Sequence, residues 1–462
     1  MKFKTLNPST GQNIKEYETI SKQQALDAAK KSYDAFQIWR NLSIEQRSKY
    51  IRSLANILKE NKNEYGKIMT LEMGKPIRES IPEVEKCAWL GEVLAENAEE
   101  WLKEEIIVAD GVSNIITYEP LGVIFIIMPW NYPFWQVFKV ALPPLMAGNT
   151  IILKHARNVT GSALMIEDAF SKAGFPKGVF QNVIVDHESS SALIESKYVA
   201  ACSLTGSVGA GSKIAEQSGK QIKKTVLELG GSDPHIILDD CDVEFAAKNA
   251  VKGRTSNAGQ VCIGSKRFLV HKNIVDKFSK RFAELMKEVN VGDPLLPETE
   301  MGPLALESGV NEMEDFVENA VSLGAKLLVG GKRKKISSNN NNGYFFEPTV
   351  LVGVNEKMNV AFNEVFGPVA PIIVCENDKE IIRIANASEF GLNASIWTRD
   401  LIRAKKIAEK INTGGVFINA VSHSHPMLPL GGIKKSGYGR ELGKAGIKEF
   451  VNVKTVNVYQ HV

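Results

Sequence analysis

Residues 122–128 (Gly-Val-Ile-Phe-Ile-Ile-Met) and 150–154 (Thr-Ile-Ile-Leu-Lys) are two apolar runs of strand length, with a helical stretch at 133–147 between them. Continuous apolar runs of this size mark strands covered on both faces, and a helix between two of them forces a parallel crossover. A second helical pattern at 161–173 and a short strand at 181–185 extend the βαβ succession, so the first half reads as a doubly wound α/β sheet. The class recurs in the second half: strand 268–270, helix 275–287, strand 372–375, helix 401–410. Ahead of both lie helical patterns at 22–41 and 43–60, with Ser21 and Ser43 as caps, and another at 83–102. At 462 residues the chain is too long for one core, and two or three domains are expected.

Reactive chemistry is suggested by Asn257-Ala258-Gly259-Gln260-Val261-Cys262, which presents a cysteine just after a polar, glycine-containing turn. Such a thiol can attack a carbonyl while its own N–H faces the oxygen that becomes negative. An unperturbed thiol, with a pKa of about 8.5, needs a base or positive surroundings to supply thiolate near neutrality. Glu228, in Val226-Leu227-Glu228-Leu229-Gly230-Gly231, is a single carboxylate among apolar residues; desolvation there raises its pKa and makes it a candidate base. Asn131, held between Pro129-Trp130 and Tyr132-Pro133, can offer its side-chain N–H to an oxyanion. Each has a plainer alternative: a structural cysteine, a strand-end Glu paired with Lys223 or Lys224, and an Asn that closes a turn.

Composition narrows the class. A formal charge of +3, with Lys and Glu intermixed along the chain, gives no basic stripe for nucleic acid. Five scattered cysteines (Cys87, Cys202, Cys241, Cys262, Cys375) suit a reducing compartment. CxxC and HExxH spacings do not occur, so no protein-bound metal is expected. The polar start carries no signal-type apolar stretch, and the 123–128 run is far shorter than the ~20 residues a membrane span needs. A cytoplasmic protein without membrane or nucleic-acid partners is the expectation. The basic, Asn-rich residues 332–342 read as a solvated surface loop.

The ordered set Pro129-Trp130-Asn131, Leu204-Thr205-Gly206-Ser207-Val208, Leu227-Glu228-Leu229-Gly230-Gly231, Gly259-Gln260-Val261-Cys262, Glu364-Val365-Phe366-Gly367-Pro368, Phe390-Gly391-Leu392-Asn393-Ala394 and Gly431-Gly432-Ile433-Lys434-Lys435-Ser436-Gly437 resembles the NAD(P)-dependent aldehyde dehydrogenase superfamily across essentially the whole chain. That resemblance implies a Rossmann-type cofactor domain (residues 1–108 and 122–230), an α/β catalytic domain (231–446) and small β oligomerisation strands (109–121 and 447–462). Residues 113–118 and 450–459 alternate like exposed strands, and the family pairs such segments between subunits, which implies a dimer or tetramer; pairing within the chain is the alternative.

For the reaction, the resemblance implies that Cys262 attacks an aldehyde, that the Cys262 N–H and Asn131 hold the oxyanion, and that a hydride leaves to give a thioester which Glu228 hydrolyses through water. Members that pass the acyl group to coenzyme A usually lack the Glu at position 228; a silent nucleotide-binding scaffold is the other alternative. Three glycines between 206 and 211, at a strand-to-helix junction, suit a pyrophosphate. Trp130, Lys154, Gly206, Ser207, Gly211, Leu229, Glu364 and Phe366 match cofactor-binding positions. Arg157 stands where NAD-preferring relatives often have Glu; with Lys154 it would attract a 2′-phosphate, so NADP is expected ahead of NAD. Asp186 replaces a frequent Gly near the adenosine.

The stretch 130–139 is similar to the succinate-semialdehyde dehydrogenase branch, which often has Arg at the positions of Lys139 and Ser256. Lys139 or Arg254 is a substitute cation for a substrate carboxylate. His423 and Ser424, in a loop that departs from the branch, offer instead a pocket wall for a hydroxylated aldehyde such as glyceraldehyde or lactaldehyde.

Overall fold

In a computed structural model describing residues 1–336 and 343–460, five parallel strands run in the order Lys224–Glu228, Val199–Thr205, Val123–Met128, Thr150–His155, Phe180–Asn182. Chain order reverses between Val123–Met128 and Val199–Thr205, the switch point at which doubly wound sheets open a crevice beyond their strand ends. Alternate side chains explain the covering on both faces. Ile124, Ile126 and Met128 join one hydrophobic cluster, Val123 and Phe125 another on the opposite face.

The second sheet has seven strands, ordered Lys326–Val329, Thr349–Val352, Val369–Cys375, Arg267–His271, Pro234–Ile237, Asn393–Trp397, Gly415–Ile418. All its pairs are parallel except the first. It too is covered on both sides: Ile236 and Leu269 face one cluster, Ile237, Phe268 and Val270 the other.

Local signals act as the sequence suggests. Ser21 and Ser43 each accept from the backbone N–H three residues on, and Gln24 and Gln46 return the bond, closing two capping boxes for helices Lys22–Trp39 and Ile44–Glu60. The pattern at 83–102 is longer than expected, starting at Ile77 and ending at Trp101. Pro82 lies inside its second turn, where the missing N–H costs one helical bond without ending the helix. Helices Lys62–Met73 and Glu307–Ser322 are additional elements.

Two expectations need adjusting. Strand Ser113–Pro120 pairs along its full length with Val451–Val458 of the same chain, with Glu105–Ile106 on its other side. This is the intramolecular alternative, and it leaves Val451–Val458 as an exposed edge. Residues 437–438, expected in the second unit, instead add an antiparallel edge to the first sheet, pairing Gly437 with Glu228. Of the expected Asn-rich loop, residues 337–342 lie outside the described residues, as do 461 and 462 of the tail. No described helix is long and apolar enough to cross a membrane.

Candidate active site

Cys262 sits between helix Val243–Thr255 and strand Arg267–His271, after a turn that is costly to make. Asn257 and Ala258 both have left-handed φ (+48° and +52°), followed by Gly259 at +77°. A Cβ on Gly259 would lie 2.3 Å from the Gly367 carbonyl oxygen, so only glycine fits there. A non-glycine left-handed residue costs roughly 1–2 kcal/mol, so the surroundings must over-determine the turn. Glu79 accepts from the Asn257 N–H (2.9 Å), and the Asn257 side chain donates to the Asn131 carbonyl (2.7 Å). The Gln260 side chain donates to the Asn257 carbonyl and accepts from the Ala305 N–H. Arg254, wholly buried, donates to the Gly259 and Val365 carbonyls. Arg254 therefore braces the turn and is not the substrate cation considered above.

This turn carries Cys262 to the wall of a cavity of about 520 Å³. The Cys262 N–H meets no acceptor among the described residues. Asn131, 3% exposed, is tied to the same turn, donating from its amide to the Gln260 carbonyl (3.0 Å) and keeping its second N–H free of acceptors among the described residues. Neither Asn131 nor Glu228 lines the cavity itself. Burial pushes the thiol up to about 11; Lys139 and Lys266 pull it down, while Glu364 and Glu228 oppose them.

Glu228 ends strand Lys224–Glu228 and is 4% exposed, with one carboxyl oxygen unpartnered. The strand-end pairing with Lys223 or Lys224 does not form. Lys223 donates to the Ile194 and Ser196 carbonyls, and Lys224 pairs with Glu449. Burial first, then the Glu441 charge, pushes Glu228 up to about 8 against the pull of Lys139. Lys139 lines the cavity but is 2% exposed, and its ammonium lies 2.5 Å from Glu441. This corrects its expected place as an open cation for a substrate carboxylate: its charge is already neutralised. His423 and Ser424 both line the cavity. His425 packs edge-on against Trp89 and accepts from the Met427 N–H, outside the cavity lining. No group of three or more metal-ligating side chains gathers among the described residues.

The cofactor candidates fall at the carboxyl ends of the first sheet. Lys154 is half-buried, and both burial and the nearby Arg157 charge push its ammonium down, with no carboxylate offsetting them among the described residues. Arg157 opens a short 3₁₀ turn and is exposed. Ser207 caps helix Val208–Lys220, accepting from the Ala210 N–H. Gly206 donates to the Glu228 carbonyl. Gly211 is glycine for a packing reason, since a Cβ there would sit 2.6 Å from the Leu229 side chain. Gly209, in the first turn, faces open space. Glu364 accepts from the Gly231 N–H and from Lys266, which also donates to the Cys262 carbonyl (2.5 Å). Phe366 meets Trp130 edge-on at 5.7 Å. Asp186 is explained as the cap of helix His187–Glu195.

Sequence reasoning did not single out Glu441, Lys266, Glu79 or Lys86. Glu441 follows Arg440 and Lys266 stands between Ser265 and Arg267, so neither shows the lone charge among apolar neighbours that picked out Glu228. Lys86 and Glu79 stand on the inner face of a charged helix and carry no such mark.

The model described as the aldehyde dehydrogenase family matches residues 1–456. A protein of Synechocystis sp. named a probable NADP(+) succinate-semialdehyde dehydrogenase is 42% identical over 456 residues, covering 99% of each chain. The Mycobacterium leprae protein named an NADP(+) succinate-semialdehyde dehydrogenase is 41% identical over 459 residues, again covering 99% of each. A crystal structure of succinic semialdehyde dehydrogenase from Streptococcus pyogenes, in complex with NADP+, superposes with a TM-score of 0.96 at 35% identity, covering 99% of this chain and all of that one.

Proposed function

The chain belongs to the aldehyde dehydrogenase family, and from that premise we propose that it oxidises succinate semialdehyde to the dicarboxylic acid with NADP, through a thioester on Cys262. The observation that carries this reading is the Cys262 turn. A thiol at the cavity wall has its own N–H without an acceptor among the described residues, and the Asn131 amide is tied to the same turn by one N–H while its other N–H has no acceptor among those residues. The relatives named above supply the choice of aldehyde and of cofactor.

The residues act in sequence. Cys262 gives its proton to Glu228, which passes it on to solvent, and adds to the aldehyde carbon; the oxygen that turns negative takes the two N–H groups. Losing one such donor costs roughly 10²–10³ in rate. NADP, when bound, supplies the hydride acceptor that makes the adduct a thioester. Glu228, raised by burial and by Glu441, takes a proton from water as the water attacks that thioester, releasing the acid and restoring the Cys262 thiol.

Lys154 and Arg157 would hold the 2′-phosphate. They place two like charges together without a carboxylate beside them, an arrangement an added phosphate relieves. The N-terminus of helix Val208–Lys220, with open space at Gly209, suits the pyrophosphate, and Glu364 and Phe366 suit the nicotinamide end. We assign the cofactor unit to residues 1–108 and 122–230 and the catalytic unit to most of 231–446. We further propose a cytoplasmic homo-oligomer joined through the ribbon 109–121 and 447–462, whose exposed Val453, Val456 and Val458 suit burial against another copy.

Initial rates with NADP and NAD, across succinate semialdehyde, glyceraldehyde, lactaldehyde and a plain alkyl aldehyde, test the reading. Selectivity for succinate semialdehyde with NADP is expected. Preference for glyceraldehyde or lactaldehyde would move the site to hydroxylated aldehydes, and absence of turnover would favour a silent scaffold. Turnover dependent on coenzyme A would overturn the hydrolytic role of Glu228.

A further inference from the structure

With Lys139 neutralised by Glu441 and Arg254 committed to the turn, the two cations expected to meet a substrate carboxylate are both in use. The cavity wall holds another. Lys86, on helix Ile77–Trp101, reaches the cavity beside Ser424, donating to its hydroxyl at 2.7 Å, and lies 4.4 Å over the Trp135 ring. Both neighbours are neutral. The two carboxylates in the same wall are engaged elsewhere. Glu83 pairs with the buried Lys75 and accepts from the Phe134 and Trp135 N–H groups, and Glu79 accepts from Asn257. Lys252, the remaining lysine of the lining, is exposed.

We propose that Lys86, with the Ser424 hydroxyl, is the anion subsite that receives the terminal carboxylate of the semialdehyde. Lys86 is half-buried and carries no counterion within 4 Å among the described residues. It therefore bears a desolvation cost that an arriving carboxylate would offset. Burial pushes its ammonium down to about 8, which the opposing pulls of Cys87 and Glu83 do not offset. Ser424 is placed to give its hydroxyl proton to the second carboxylate oxygen while accepting from Lys86. Trp135 adds a face that holds the ammonium against the wall. An aldehyde without a distal anion gains nothing from this pair, so the subsite selects among aldehydes of equal length.

The inference rests on the proposed succinate-semialdehyde reading, and the test separates the two. The unsubstituted enzyme is assayed with succinate semialdehyde and with 4-oxobutanamide, its neutral isostere; Lys86→Met and Lys86→Arg are assayed with both. The expected result is a kcat/KM preference for the acid that falls roughly ten- to a hundredfold in Lys86→Met, mainly through KM, and is largely restored in Lys86→Arg. No preference in the unsubstituted enzyme overturns the substrate reading itself. A preference that survives Lys86→Met overturns the Lys86 subsite alone. Equal losses on both aldehydes in Lys86→Met, unrescued by Arg, assign Lys86 a structural role and also overturn it. Should Lys86→Met fail to fold, Ser424→Ala and Lys86→Arg carry the comparison: an undiminished preference in Ser424→Ala contradicts the paired subsite.

Discussion

Burial raises both groups that the proposed reaction uses, and it raises them for different ends. At Cys262 burial favours the thiol over the thiolate, so a base has to take its proton before attack. Glu228 must be ionised to take a proton from water, so deacylation should climb as pH passes through about 8 and level off above it. Glu441 is the second contributor to that raised value, after burial. In Glu441→Gln the raising charge disappears; if Lys139 then loses its proton as well, only a smaller lowering influence is lost with it. The midpoint of the single-turnover deacylation rate against pH should therefore move down, and a midpoint that stays put or rises contradicts this account of Glu228. The isolation of Glu228 was legible in its apolar neighbours. Its coupling to Lys139 and Glu441 was not, because that contact joins three distant parts of the chain whose spacing carries no sign of it.

At the scale of elements, the strained turn before Cys262 shows where local rules stop being sufficient. Its glycine and polar residues announced a turn, but three successive left-handed residues are a choice imposed by Glu79, Asn131, Arg254 and Ala305 from other elements. The caps at Ser21 and Ser43 were legible because every partner lies within three residues, and the structure adds the Gln24 and Gln46 half of each box. The early start at Ile77 was hidden by Pro82, whose local penalty is outweighed by the helix's buried face. Gly259→Ala should lower stability by at least about 2 kcal/mol, combining left-handed strain with the Gly367 clash, and depress activity with it. Equilibrium urea unfolding checks this; a change below about 0.5 kcal/mol would mean the turn is not held as described.

At the scale of the whole molecule, the doubly wound sheet was legible from the order of apolar runs; its switch point came only with the strand order, which puts Lys154, Arg157 and Ser207 at or just beyond the carboxyl ends of the strands on either side of Val123–Met128. Lys154 sits at the end of its strand and Arg157 three residues on, so their shared charge follows from the fold. In Arg157→Glu the ratio of kcat/KM for NADP over NAD should fall roughly ten- to a hundredfold, read from initial rates. An unchanged ratio would leave Lys154 as the sole reader of the phosphate. The path of the ribbon was less legible, since alternating strands at 113–118 and 450–459 fit either partner; the chain pairs them with each other and exposes the far edge. Val453→Lys and Val456→Lys should convert the proposed oligomer to smaller species in sedimentation while the fold persists, and an unaltered assembly would place the interface elsewhere.

In the proposed reaction the acyl group passes through Cys262 and leaves by water under Glu228. Intact mass of Glu228→Gln, mixed with succinate semialdehyde and NADP and quenched, tests it most directly. The expected result is a burst of NADPH no larger than one per site and a succinyl adduct mapped by digestion to Cys262. An unmodified protein turning over at the normal rate would contradict it.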